Sequence, residues 1–163
     1  MPVVAAPSAA CVPEVAAAPA PLAAALAVIL PVAPTSASEA KDESLACLAE
    51  AVYHEARGTS ETAQAAVAHV VLNRTESEEF PDTPCDVIND GCQFSYMCDG
   101  KPERMAEPED RKAAIETAEA VLEGALPDPT GGALFFHAET ASHTGFFSRR
   151  SPTTEIGGHV FYR

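Results

Sequence analysis

The sequence predicts an α+β domain with about three main helices, a small antiparallel β-sheet and two disulfides. Three observations carry this expectation. Apolar residues recur at three- and four-residue steps in three segments before residue 125. Short apolar runs with strand character lie near the end of the chain. Four cysteines follow an Ala/Pro-rich leader, an even number in a short chain. At 163 residues the chain holds one domain with a proper core and is too short for two of ordinary size.

Residues 1–40 differ in kind from residues 41–163. They are mostly Ala, Pro and Val, and all ten Lys and Arg residues lie at Lys41 or later. Leu22 to Leu30, LAAALAVIL, has the size of a signal-peptide apolar region, and small residues suited to cleavage follow it. It is too short to span a bilayer, so no stable membrane insertion is expected. The positive charge that should open a signal peptide comes only from the terminal amine, and the same composition would also give a disordered tail. Export to the periplasm or cell envelope of a bacterium is the reading carried forward.

The helices follow in order. Ser44 to Arg57 has Leu45, Leu48, Ala49, Val52 and Ala56 on one stripe, and Gly58 as a stop. Thr59 and Ser60 can cap a second helix that runs to about Arg74. Its stripe is Ala63, Ala66, Val67, Val70 and Val71, and the short link makes the two helices antiparallel neighbours, tied by Asn73 and Arg74. FPDTPCDVIND reads as turns with one short helical turn. Pro108 opens a third helix that Gly124 ends, its buried face marked by Ile115, Ala118 and Leu122. Ala133 to His137, ALFFH, reads as a strand, AETASHTGFFSRRSPTTE as an irregular loop, and IGGHVFYR as a final strand that pairs with the first.

Beyond residue 38, ten basic residues face twenty-three acidic ones. That surface argues against nucleic acid and anionic membranes as partners. Four cysteines allow three pairings. Cys92 and Cys98 bracket a short loop, which favours Cys92–Cys98 with Cys47–Cys85. Zinc needs ligand pairs at closer spacing, and HExxH needs a histidine where Gly58 stands, so neither metal nor cofactor is expected.

The motif AVYHEARG, residues 51–58, raises the chemical question. On a helical wheel started at Leu45, the apolar stripe spans roughly 300° through 40°. Glu55 falls near roughly 280°, at the stripe's edge, and His54 near roughly 180°, on the outer face. A carboxyl at such an edge is partly desolvated, which favours its protonated form and suits it to donate a proton. Arg57 would oppose that shift if it came close. An interfacial salt bridge is the competing role for Glu55.

AVYHEARG, ETAQAAVAHVVLNR, FPDTPCDVI, CQFSYMCDG, TGGALFFH and IGGHVFYR, in that order over residues 45–163, resemble the SleB/CwlJ-type cell wall hydrolases. These include spore cortex-lytic enzymes and related proteins of Gram-negative bacteria. The resemblance implies a lysozyme-like catalytic domain that acts on peptidoglycan glycan strands, with Glu55 as the catalytic acid. It also implies a lytic transglycosylase that cleaves between N-acetylmuramic acid and N-acetylglucosamine, leaving a 1,6-anhydro ring. Water-using muramidase action and a catalytically inactive wall-binding module are the alternatives. A hydrolase would need a second carboxylate, for which Asp99 is the loop candidate. The chain departs from the family pattern in TSETAQ, where a second glutamate often follows the glycine. It also lacks tryptophan and any separate wall-binding segment.

The loop GCQFSYMCDG is the expected cleft wall. Gln93 and Ser95 can hydrogen-bond sugar groups, Tyr96 can stack on a sugar ring, and Phe94 reads as core. His137 and Tyr162 are further candidates for substrate contact, each equally readable as a sheet residue. Phe146 and Phe147 could form a lid. The sequence specifies no regulatory partner.

Overall fold

The computed structural model describes residues 37–141 and 145–163. The expected leader lies outside the described residues except for Ala37–Ala40, which begin the first helix.

The element order is α1 (Ala37–Ala56), α2 (Glu61–Thr75), α3 (Pro84–Asn89), a 3₁₀ turn (Ser95–Cys98), α4 (Pro108–Leu122), β1 (Phe135–Ala138), a second 3₁₀ turn (Phe147–Arg149), β2 (Pro152–Ile156) and β3 (His159–Tyr162). Helix α1 starts seven residues before the predicted Ser44. Its first turns, ASEAKDE, hold two Ala, two Glu and a Lys, which favour helix, but no apolar stripe, so periodicity is blind to them. Gly58, at φ +73°, stops α1 as predicted. Ser60 caps α2 by accepting from the Ala63 N–H at 3.3 Å.

Helix α2 is the centre of the packing. Ala63 to Ala68, Val70, Val71 and Arg74 are all buried, so it has no solvent face along most of its length. One side meets α1 and α4 in the larger core, with Leu48, Val52, Tyr53, Val71, Phe94 and Ala118. The other side, through Ala66 and Val70, meets Phe161 and Ala133 beneath the sheet. Each fully buried side chain of Phe161's size contributes about 1.5–3 kcal/mol. The run of alanines in α2 is what lets three layers approach so closely.

Two predicted faces need correction. The buried stripe of α4 is Ala114, Thr117, Ala118 and Val121, whereas Ile115 is 37% exposed. A buried hydrogen bond sets this rotation: Thr117 Oγ1 donates to Gln64 Oε1 at 3.1 Å. Burying that pair unsatisfied would cost more than exposing part of Ile115. Asn73 and Arg74 do not tie α1 to α2. They hold α2 to the approach to β1, with Asn73 Nδ2 on Ala133 O (3.1 Å) and Arg74 Nε on Leu134 O (2.7 Å).

The sheet is antiparallel in the order β1-β3-β2. β3 pairs with β1 as expected, Phe135 opposite Tyr162 and His137 opposite Val160. Strand β2 overlaps the end of the stretch read as an irregular loop, and the final strand begins at His159 rather than Ile156. Gly157 and Gly158, at φ +61° and +80°, form the two-residue connection that a right-twisted hairpin requires. β2 escapes hydropathy because PTTEI is an edge strand with mostly exposed side chains. Gly157 also abuts α2, where a Cβ would stand 2.3 Å from that of Ala63.

Two disulfides close the described region. Cys47–Cys85 fastens α1 to α3, and Cys92–Cys98 closes the loop that carries the first 3₁₀ turn.

Candidate active site

Glu55 sits in the last turn of α1, half-buried, where the helix end places partial negative charge. Burial pushes its carboxyl above the ordinary glutamate value, and a hydrogen bond from the Ser95 backbone N–H opposes that rise. Arg57 does not counter it. Its guanidinium lies over the Tyr53 ring, 5.5 Å from the centroid, with Nη1 donating to the Tyr53 hydroxyl at 3.5 Å.

The disulfide-closed loop grips α1 at two consecutive residues. Ser95 reaches Glu55, and Tyr96 stacks on His54 with ring centroids 4.4 Å apart. His54 is therefore not on an open outer face as the helical wheel had it. A wheel knows only its own helix, and here the loop covers that side. Burial, then Arg57, lower the His54 pKa, while Glu103 and Asp99 oppose. Tyr96 is 7% exposed, and burial raises its phenol's pKa, with Glu50, Glu55 and Glu103 adding to the effect. His54 covers one face of its ring, and Tyr96 lines a small pocket with Arg57, Asp99 and Lys101. His54 Nε2 and the Tyr96 hydroxyl are both buried without hydrogen-bond partners among the described residues.

The remaining predicted residues fall into separate places. Ser95 meets Glu55 through its backbone, its side chain being exposed. Gln93 is exposed and donates to Asp90 Oδ2 at 3.2 Å. Phe94 is core, with no exposed surface. Asp99 lies at the surface in an ion pair with Lys101 at 3.0 Å. His137 and Tyr162 share one face of the sheet and bind each other, His137 Nε2 to the Tyr162 hydroxyl at 3.0 Å. Phe147 packs on both rings, at 4.6 and 5.1 Å.

Aromatic surface is concentrated elsewhere. A groove of about 410 Å³ is walled by Arg74, Phe80, Gln93, Phe135, Phe146 and neighbouring phenylalanines. Phe146 is 42% exposed, and Phe135 meets it edge-on at 5.1 Å. Sequence reasoning had noticed Phe146 and Phe147 only as a lid, and had missed Phe80, Phe135 and Arg74 as groove residues. The one legible signal was the density of phenylalanine in ALFFH and TGFF, which periodicity assigns to core.

The fold is a small α+β domain in which one disulfide-closed loop bonds a half-buried carboxyl through Ser95 and lines an aromatic groove through Gln93. The chain belongs to the cell wall hydrolase family, whose description matches residues 58–162. Glu55 stands three residues before that match. The chain is 34% identical over 120 residues to the spore cortex-lytic enzyme of Halalkalibacterium halodurans, covering 74% of this chain and 34% of that one. It is 38% identical over 115 residues to the spore cortex-lytic enzyme of Oceanobacillus iheyensis, covering 70% and 39%. The chain thus spans between about a third and two-fifths of the curated relatives it matches. Among solved structures it resembles the catalytic domain of the germination-specific lytic transglycosylase SleB from Bacillus anthracis. That match has a TM-score of 0.65 and 30% identity, over 80% of this chain and all of that one. The SleB catalytic domain of Bacillus cereus matches with a TM-score of 0.61.

Proposed function

We propose that this chain cleaves the glycan strands of peptidoglycan as a lytic transglycosylase, with Glu55 as sole acid and base. The observation that carries the reading is the environment of Glu55. Burial and the helix end favour its protonated form, and the Ser95 N–H makes its carboxylate tolerable. A group that must give a proton and then take one needs both supports.

In the first step Glu55 protonates the glycosidic oxygen, the C1–O bond of the muramic residue breaks, and the leaving sugar departs with that proton. In the second, the Glu55 carboxylate takes the proton of the muramic C6 hydroxyl, and O6 bonds to C1. The product is a 1,6-anhydro ring, no water is consumed, and Glu55 ends protonated. The SleB domain that this fold resembles is described as a lytic transglycosylase, which supports this reaction over hydrolysis. Action in the periplasm or cell envelope, after export, belongs to the same proposal. Among the described residues no helix is long and apolar enough to cross a membrane.

The test is mass spectrometry of soluble products from purified sacculi treated with the wild type and with Glu55→Gln. Anhydro-muramic ends from the wild type alone are expected. Reducing ends would mean hydrolysis with water. Binding without release by either protein would leave a wall-binding module and overturn the proposal.

A further inference from the structure

Arg74 is the anomaly of the fold. It is 4% exposed, yet among the described residues it forms no ion pair with any carboxylate. Among the described residues its guanidinium makes one hydrogen bond, Nε to Leu134 O, and Nη1 is buried without a partner. Three rings surround it, with Phe80, Phe94 and Phe135 centroids at 5.0, 5.5 and 5.8 Å. Asp90 is the acid whose charge reaches it, and that carboxylate is engaged with the Gln93 amide. Burial lowers the Arg74 pKa to about 10, so the group stays charged at neutral pH.

A buried cation with no ion pair among the described residues is costly, and its unpartnered Nη1 belongs to a planar fork suited to a carboxylate. Tying α2 to the sheet needs only the Nε bond, which a neutral side chain could supply. Arg74 also forms part of the wall of the aromatic groove, where Phe146 is 42% exposed and the Arg150 guanidinium lies over the Phe135 and Phe146 rings at 4.0 and 4.4 Å. The disulfide-closed loop touches both groove and acid: Gln93 lines the groove, and the Ser95 N–H, two residues on, bonds Glu55.

We propose that the groove is a subsite for a carboxylate-bearing amino sugar, with Arg74 reading the carboxylate and the phenylalanines the ring. This rests on the proposed action on peptidoglycan and adds to it a residue that sets specificity. The carboxylate has two possible sources in such a strand: the lactyl group of a peptide-free muramic unit, or the acidic groups of an attached peptide.

Calorimetry with the Glu55→Gln chain, which holds strands uncut, separates the outcomes. Three ligands of equal length are compared: a peptide-free glycan with lactyl carboxylates, the same glycan with those groups converted to methylamides, and a peptide-bearing strand. The free-carboxylate glycan is expected to bind about ten- to a hundredfold tighter than its amide. Adding Arg74→Met should abolish that preference, and Arg74→Lys should restore part of it. Equal binding of glycan and amide beside tighter, Arg74-dependent binding of the peptide-bearing strand would assign the carboxylate to the peptide, whereas the expected glycan preference assigns it to the lactyl group. Equal binding of all three ligands, or an Arg74→Met loss that is the same for all three, would overturn the inference and leave the proposed function standing. Binding to none of the three would remove the proposed substrate class, and the subsite with it. The wild-type Arg74 comparison requires no variant at that position, so a folding defect in Arg74→Met leaves the test intact.

Discussion

The two disulfides are predicted to divide their labour, one serving stability and the other the site. Replacing Cys47 and Cys85 together by alanine opens a cross-link of sequence separation 38, and replacing Cys92 and Cys98 opens one of separation 6. Chain-entropy loss at those loop lengths gives about 3.9 kcal/mol for the first and about 2.2 kcal/mol for the second. Urea unfolding should therefore show the Cys47/Cys85 double variant weaker by about 1.6 kcal/mol than the other. Activity should rank the opposite way. The short loop positions the Ser95 N–H on Glu55 and Tyr96 on His54, so its release loosens the groups beside the acid. At a temperature where both variants remain folded, sacculus clearing by the Cys92/Cys98 variant should fall on the order of ten- to a hundredfold. The Cys47/Cys85 variant should stay within about threefold of wild type, an effect of under 1 kcal/mol on the barrier. Full activity without the Cys92–Cys98 bond would refute the argument that this loop positions the acid. Equal stability losses would refute the loop-length estimate.

Other consequences follow from named contacts. Because the folded-state pKa of Glu55 is raised, the stability it contributes is present below the ordinary value of 4.5 and lost as pH rises through the folded value. Glu55→Gln should thus melt higher than wild type at neutral pH, the gap closing below that value, while losing roughly 10²–10⁴-fold in rate. The alkaline limb of wild-type activity should lie above the ordinary glutamate range. Asp128 behaves in the opposite sense. Burial alone would raise its pKa, but bonds from Thr130 Oγ1, the Thr130 and Gly132 N–H groups and Asn73 lower it. Its contribution is present above 3.8 and lost as pH falls through the folded value, so Asp128→Ala should cost about 2–3 kcal/mol at pH 7 and flatten the acid side of the stability curve. Gly157→Ala should destabilise by about 2–3 kcal/mol in thermal melts, since the new Cβ would collide with Ala63 at a positive φ.

The legible parts of this protein were those specified by local chemistry. Gly58 must end α1 and Ser60 must begin α2, because a left-handed stop and a side-chain cap are properties of a few adjacent residues. Pro108 and Gly124 bracket α4 for the same kind of reason. Glu55 stood at the edge of the apolar stripe in the sequence, and it is half-buried in the fold. What stayed hidden depends on partners distant in the chain. The phase of α4 follows from a bond between Thr117 and Gln64, 53 positions apart, and neither residue advertises it. β2 is held by its neighbour rather than by its own hydropathy, although Gly157–Gly158 was a hairpin signal open to reading. His54 looked exposed until a loop more than 40 residues away closed over it. The groove has the same origin. Phe80, Phe135 and Phe146 are ordinary apolar residues in a linear reading, and Arg74 an ordinary helix end. Only tertiary packing could gather Phe80, Phe94 and Phe135 around the buried Arg74, because burial is a property of a position in space, not of a residue type.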